Sequence, residues 1–367
     1  MDADPTSSGA GGPEGDSPPR LPDEGLWTTL EAVGDPLAPA VDAAVELAGA
    51  GVPVAVVGAP FGGRRRVLDR VADRLDLPRE ESTFGERPSL DGGMVVTDAH
   101  RLHRRSVGGF EPLDALLDRV GHVDGPLVTG WNRHAWSYLI HAREIHEAFE
   151  AVAVPSVGRE TMGALVEGWS PSVTFRAPPE TASGLLQVDR QSVSLPLLGR
   201  QEVPVPTVDL SAFGRREAAA DPEAAVIRRL TDIANGNPGV ARALWVHCTA
   251  AEHVAVDPTD LLTPVERADE RARERERTRR EHGTEGAGTP ADADTTALDQ
   301  RAAFCCRLVL AGERLPRDVV RESVADADRL LARLERRGYL TTTEGTVELR
   351  PAAVPDAVTL TDRRRIP

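Results

Sequence analysis

The sequence predicts a doubly wound α/β domain built on a parallel sheet, followed by a small helical unit and a C-terminal unit of three helices and a hairpin. Three observations predict it. Short apolar, valine-rich runs such as 52–57 and 94–97 recur with helical patterns between them, and strands that are apolar throughout suit a sheet covered on both faces. The first run breaks at a glycine-rich turn straight into a helical pattern, VAVVGAPFGGRR over residues 54–65. Beyond a charged stretch at 264–297, the pattern becomes helix, helix, helix and two β-prone segments.

Taken in order, residues 1–25 are rich in Pro, Gly, Ser and Asp and lack the apolar area to fold, so they are expected to form a disordered tail. A core over 26–208 follows. Its helices are expected at 37–50, 65–75 (with Val67, Leu68, Val71 and Leu75 on one face), 113–120 and 134–149, and its strands at 52–57, 94–97, 127–129 and 151–154. From about 170 to 213 the pattern changes to short β-prone pieces at 172–175, 193–198 and 203–208, separated by prolines, and this insert has no chemical reading. Helices at 225–234 and 240–249, joined by Gly236-Asn237-Pro238-Gly239, make a helical lid within 209–263. Residues 264–297 have charges four apart, such as Asp269 and Arg273, that could support a solvated helix, but with no apolar stripe to pack it they read as a charged linker. Helices at 298–311, 317–324 and 326–337, then two strands turning at Glu344-Gly345, give a winged-helix arrangement over 298–367.

Composition narrows the function classes. The chain has 58 acidic residues against 43 basic ones and a net charge of −15, which argues against a surface built wholly for nucleic acid or an anionic membrane. Every basic residue is arginine, and lysine is absent. Acidic, lysine-free chains resemble proteins of extreme halophiles. No apolar run approaches the roughly 20 residues of a membrane span, and the N-terminus has neither a basic nor an apolar export region. A cytoplasmic protein without a membrane partner is expected. Cys305 and Cys306 read as small apolar residues on one buried helix. His141 and His146 are five apart, off the metal-binding helical spacing, and no metal ligands are assigned.

The run at 54–65 has the outline of GxxxxGK[ST], with Gly58 and Gly63 in register, Gly62 inside the loop, Arg64 in the lysine place and Arg65 in the Ser/Thr place. Backbone N–H groups at a helix N-terminus bind phosphate without any side chain. A guanidinium keeps the lysine charge but is planar and bulkier, and Arg65 cannot ligate a cation. The chemical groups are thus altered while the cradle is retained.

Three further segments agree with this. MVVTDAHRL over 94–102 resembles the Walker B strand of AAA+ and related signal-transduction (STAND) ATPases. One register puts Asp98 at the water-polarising glutamate and Thr97 at the magnesium aspartate, and the other makes Asp98 the metal carboxylate with Ala99 at the base. LVTGWN over 127–132 ends in Asn132, which resembles the sensor-1 position; Asn132 also suits an N-cap for the following helix. GNPGVARAL over 236–244 resembles the lid helix, with Pro238 in the element that abuts the base and Arg242 at the sensor-2 arginine. The resemblance to AAA+/STAND ATPases spans about residues 40 to 350 and lies in the order of the motifs.

The resemblance implies ATP or ADP with Mg²⁺ as cofactors, held weakly or not at all, with Asp98 and Asn132 in the catalytic places. It implies a regulatory or scaffolding role. A winged-helix, DNA-associated regulator and an active ATPase with Arg64 in place of lysine stand as alternatives. The partners implied are a protein or duplex DNA at the winged helix, and further copies of the chain.

Overall fold

The computed structural model describes residues 24–89, 92–106, 108–177, 186–195, 199–208, 220–249, 255–281, 298, 300–364 and 366. The tail expected at the N-terminus falls outside them through residue 23, as do residues 178–185, 196–198 and 209–219 around the insert and 282–297 of the charged stretch.

Helices α1 (Glu24–Ala32) and α2 (Ala38–Gly49) lead into β1 (Val54–Gly58), α3 (Arg64–Leu75), β2 (Arg79–Glu80) and β3 (Met94–Val96). A 3-10 turn over Ala99–Leu102 and α4 (Glu111–Val120) precede β4 (Leu127–Asn132), α5 (Arg133–Arg143), β5 (Glu150–Ala153) and α6 (Arg159–Trp169). The five strands form one parallel sheet in the order β2-β3-β4-β1-β5. The fold is mixed α/β with a central parallel sheet. From central β1 the chain goes to the far edge, returns strand by strand to β4, and then crosses to β5 on the other side of β1. That change of direction leaves a crevice at the carboxyl ends of β1 and β4, where α/β folds place ligands.

Alternation along each strand explains burial on both faces. Val54 and Val56 join Val95, Val128 and Val152 against α2 and α3, whereas Ala55 joins Met94, Val96, Leu127 and Trp131 against α4 and α5. Two stretches depart from the expected pattern. The helix expected to reach Phe149 stops at Arg143, because Glu144 takes a left-handed φ of 51°. Helix α6 was not expected, although Met162, Leu165 and Val166 give it a buried face.

Residues 193–195 of the piece expected at 193–198, and the piece at 203–208, belong to a longer antiparallel pair, β7 (Leu186–Leu195) against β8 (Gly199–Val208), and β6 (Thr174–Phe175) pairs with β9 (Ala255–Val256). A two-stranded ribbon has free edges on both sides, so Pro204 and Pro206 are tolerated in β8. Helices α7 (Pro222–Ala234) and α8 (Pro238–Cys248) follow the hairpin.

Within the stretch read as a charged linker, the first 18 residues form α9 (Pro264–Glu281), the solvated helix that charges four apart could support. Its start is a reciprocal capping box. The Thr263 N–H donates to Glu266 Oε2 at 2.9 Å, and the Glu266 N–H donates to Thr263 Oγ1 at 3.2 Å. The cap fixes the start of the helix, and Arg267 ties its first turn to Leu262 O at 2.6 Å.

The C-terminal unit comprises α10 (Gln300–Gly312), β10 (Arg314–Pro316), α11 (Arg317–Ser323), α12 (Ala327–Arg336), β11 (Leu340–Thr343), β12 (Thr346–Leu349) and α13 (Val354–Arg363). Strands β11 and β12 turn through Glu344 and Gly345 at φ 51° and 80°, the two positive angles a tight hairpin needs. Strand β10 adds to the outer side of β12, and neither it nor α13 was expected. Cys305 and Cys306 are fully buried on α10, as expected. The apolar core on the α2/α3 face runs without a break through α7 and α8 into α10 and α12. The C-terminal unit therefore packs as part of the body.

Candidate functional site

The carboxyl ends of β1, β3 and β4 meet the N-terminus of α3 in one place, and most of the sequence-predicted residues gather there. The loop after β1 is closed on itself. The Gly62 N–H donates to Ala59 O at 3.1 Å, with Pro60 second and Phe61, at φ 62°, third in the turn. The Pro60 carbonyl accepts a 2.7 Å bond from Asn237 Nδ2, so the segment before α8 clasps the loop. Gly58 leaves no room for a side chain, since a Cβ there would lie 3.0 Å from Arg64 Cβ. At Gly63 the φ is 97° and a Cβ would meet Leu37 and Trp27.

Arg64, in the lysine place, is 5% exposed and is turned toward protein carboxylates. Its Nη2 donates to Asp98 Oδ1 at 2.8 Å and its Nη1 to Glu313 Oε1 at 2.7 Å. Burial opposes the Arg64 charge, yet Glu313 and Asp98 more than compensate and raise its pKa. Burial likewise raises both carboxyls, and Arg64 overrides it, so Asp98 and Glu313 are held below their ordinary values. The three groups form a largely buried, ionised cluster, with the Glu313 side chain 19% exposed. Arg101 extends it, 3.4 Å from Asp98 Oδ2 and 3.0 Å from Glu81 Oε1.

Asn132 links this cluster to the C-terminal unit. Its Oδ1 caps α5 by accepting from the His134 N–H at 2.8 Å, and its Nδ2 donates to Leu310 O and to Glu313 Oε1, both at 2.9 Å. One side chain thus caps α5, as one of the two sequence readings of Asn132 has it, and donates to the cluster. His100 is fully buried beside them, and burial, with Arg64 adding, lowers its pKa to about 4. It is neutral at pH 7.

The remaining predicted residues make other contacts. Arg65 points out and pairs with Glu81 at 3.0 Å, both largely exposed. The Thr97 hydroxyl donates to Glu80 O at 3.3 Å. Pro238 and Gly62 border a second cavity, of about 370 Å³, on the other side of the loop. Arg242 lies over the Trp169 ring, 5.3 Å from its centre, and lines neither cavity. The larger cavity, about 730 Å³, lies between the loop, Trp27 and the hairpin residues Thr341 and Glu348.

The fit of a divalent cation can be tested on the donor set. Asp98, His100 and Glu313 offer ligand atoms within 4.8 Å of one another. Both carboxylates already bond Arg64, and the charges of Arg64 and Arg101 together balance theirs, so a dication would enter a site with no negative charge to spare. With the Thr97 hydroxyl and Arg65 turned to other partners, the residues do not fit Mg²⁺ in this arrangement.

Sequence reasoning missed Glu313. It follows the expected helix end by two positions, belongs to no motif, and is brought to the loop only by tertiary packing.

Over most of its length the chain is similar to a number of solved structures. One is RuvB, the Holliday junction branch migration motor of Thermotoga maritima, at 12% identity over 87% of this chain and 91% of that chain, with a TM-score of 0.34. Another is a Walker-type ATPase of Pyrococcus abyssi, at 10% identity over 93% and 96%, with a TM-score of 0.36. No protein-family model matches the chain, and no curated protein does. No described helix is long and apolar enough to cross a membrane.

Proposed function

We propose that this chain is a diverged protein of the AAA+/STAND-like P-loop kind, with nucleotide binding and hydrolysis weak or absent, which serves as a regulatory or scaffolding module. One observation carries this reading: the arginine in the lysine place is buried and ion-paired to the chain's own Asp98 and Glu313. A P-loop cation works on the outer phosphates and the following hydroxyl on magnesium. Here the first is engaged by protein carboxylates and the second is Arg65, which pairs with Glu81. Loss of each charge-stabilising group commonly costs about 10² or more in rate.

The same reading takes the C-terminal unit as a winged helix that packs on the body in preference to reading duplex DNA. In support, its core is continuous with that of the sheet domain, and Arg317 and Arg321 both pair with Asp328. The test uses the full chain in high KCl: binding of labelled ATP with and without Mg²⁺, turnover, and retardation of duplex DNA. Weak or absent binding with no turnover is expected. Tight binding with hydrolysis abolished by Arg64→Ala would establish the active-ATPase alternative, and salt-sensitive, sequence-specific retardation the DNA-associated one.

A further inference from the structure

We infer that Glu313 is an internal ligand of an oxoanion site formed by Arg64 and Asn132, so that docking of the C-terminal unit and binding of a phosphate-type anion at the loop compete. This rests on the proposed loss of tight nucleotide binding and gives it a cause.

The geometry is that of anion recognition. The Glu313 carboxylate receives Arg64 Nη1 and Nη2 at 2.7 and 3.2 Å and Asn132 Nδ2 at 2.9 Å. A forked guanidinium with a further N–H donor holds a phosphate oxoanion by the same chemistry as a carboxylate. The place is right as well. It lies at the carboxyl end of β4, where Asn132 stands, and at the start of α3, a 12-residue helix whose N-terminal dipole favours negative charge.

The backbone at Glu313 points the same way. Its N–H donates to Val309 O at 2.8 Å with φ at 61°, the left-handed position just past a helix end that glycine normally fills. Glycine stands one residue earlier, at Gly312, where a Cβ would collide with Leu315. The same left-handed turn ends other helices at Asp76, Glu144 and Asn235. At Glu313 it directs the side chain across the interface to Arg64.

The site also has unmet polar atoms. Arg64 Nε and His100 Nε2 are buried and have no hydrogen-bond partner among the described residues. A three-oxygen phosphate group offers more acceptors than a carboxylate does. The cavity of about 730 Å³ lies directly beside Glu313 and would admit the anion from the hairpin side.

The test compares the full-length wild type with Glu313→Gln and Glu313→Gly in high KCl, titrating inorganic pyrophosphate and ATP, each without Mg²⁺. Glu313→Gly removes the carboxylate and relieves the left-handed strain, so it is the variant most suited to keep the fold. With the internal competitor gone, both variants are expected to bind at least one of the two probes about tenfold or more tightly than wild type, since apparent affinity scales with the open fraction. A gain for both probes points to a phosphate-type anion, and a gain for ATP alone to a nucleotide. Affinities within about twofold of wild type for both probes, in variants that unfold cooperatively, would overturn the inference.

A second measurement needs no variant. Saturating pyrophosphate should speed hydrogen exchange of the Glu313 and Arg314 amides in the wild type, and unchanged or slower exchange there counts against competition. Tight ATP binding and turnover by the wild type would instead remove the proposed function, which the ratio of variant to wild-type affinity does not address.

Discussion

The Arg64 guanidinium grips the Glu313 carboxylate end-on, Nη1 to Oε1 at 2.7 Å and Nη2 to Oε2 at 3.2 Å, across 249 residues of chain. The pair joins the first turn of α3 to the end of α10, and Asp98 on the other side of Arg64 makes it a triad. Such a cluster adds little to stability relative to an apolar one, but it is costly to break in half. Truncating the central cation is therefore the severe change.

Arg64→Ala is expected to cost about 3–5 kcal/mol, because it leaves two carboxylates unpaired in a largely buried place. Arg64→Lys should recover only part of this, since one ammonium cannot fork onto Glu313 while also reaching Asp98. Denaturant unfolding of the three proteins at one salt concentration measures the order. A loss below about 1 kcal/mol for Arg64→Ala would mean that the triad is not formed in solution.

Asp356 supplies a pH dependence of the opposite sense to that of ion-paired acids. Burial first, with Glu266 and Asp269 adding and a bond from Thr263 opposing, lifts its carboxyl from the ordinary 3.8 to about 6. The folded state then favours the protonated form. Stability from this group is greatest below about pH 4, falls as pH rises toward 6, and stays low above that. Asp356→Asn should raise stability at pH 8 by on the order of 1–3 kcal/mol and make little difference near pH 4. Thermal melts across that range test the sign.

Much of the sheet domain was legible because it depends on local pattern. Strands β1, β3 and β4 announce themselves as short apolar runs, and α3 by Val67, Leu68 and Val71, all fully buried. The loop at Gly58 to Arg65 and the acid at Asp98 were legible as motif positions. What sequence could not supply was the partner of each. Glu313 reaches Arg64 through tertiary packing alone, and no periodicity marks it. Helix α9 stood second to a linker for a different reason, since no apolar face marks it and its start is fixed by the Thr263–Glu266 box.

The two glycines flanking β1 separate backbone strain from packing. Gly51 has φ 79° with nothing within 4 Å of where a Cβ would be, whereas at Gly63, φ 97°, a Cβ would meet Leu37 Cδ1 at 3.0 Å and Trp27 Cζ3 at 3.1 Å. Gly51→Ala should cost only the left-handed penalty, about 1–2 kcal/mol. Gly63→Ala should cost that plus about 1–3 kcal/mol for displacing α1 and α2 side chains. Equal losses in chemical unfolding would show that the α1/α2 layer yields freely to the loop.

Asn132 allows its two roles to be pulled apart. Its Oδ1 caps α5 through the His134 N–H, while its Nδ2 serves Leu310 O and Glu313 on the C-terminal unit. Asn132→Asp keeps an acceptor for the cap, removes both donors, and places a second negative charge beside Glu313. Local exchange protection at the start of α5 should therefore survive, while protection at the end of α10 falls and overall stability drops by about 1–3 kcal/mol. Asn132→Ala should lower both, with the cap accounting for about 1 kcal/mol. If the aspartate variant instead loosened α5 and left α10 protected, Asn132 would be a cap only. Docking of the C-terminal unit would then rest on Arg64 and apolar packing.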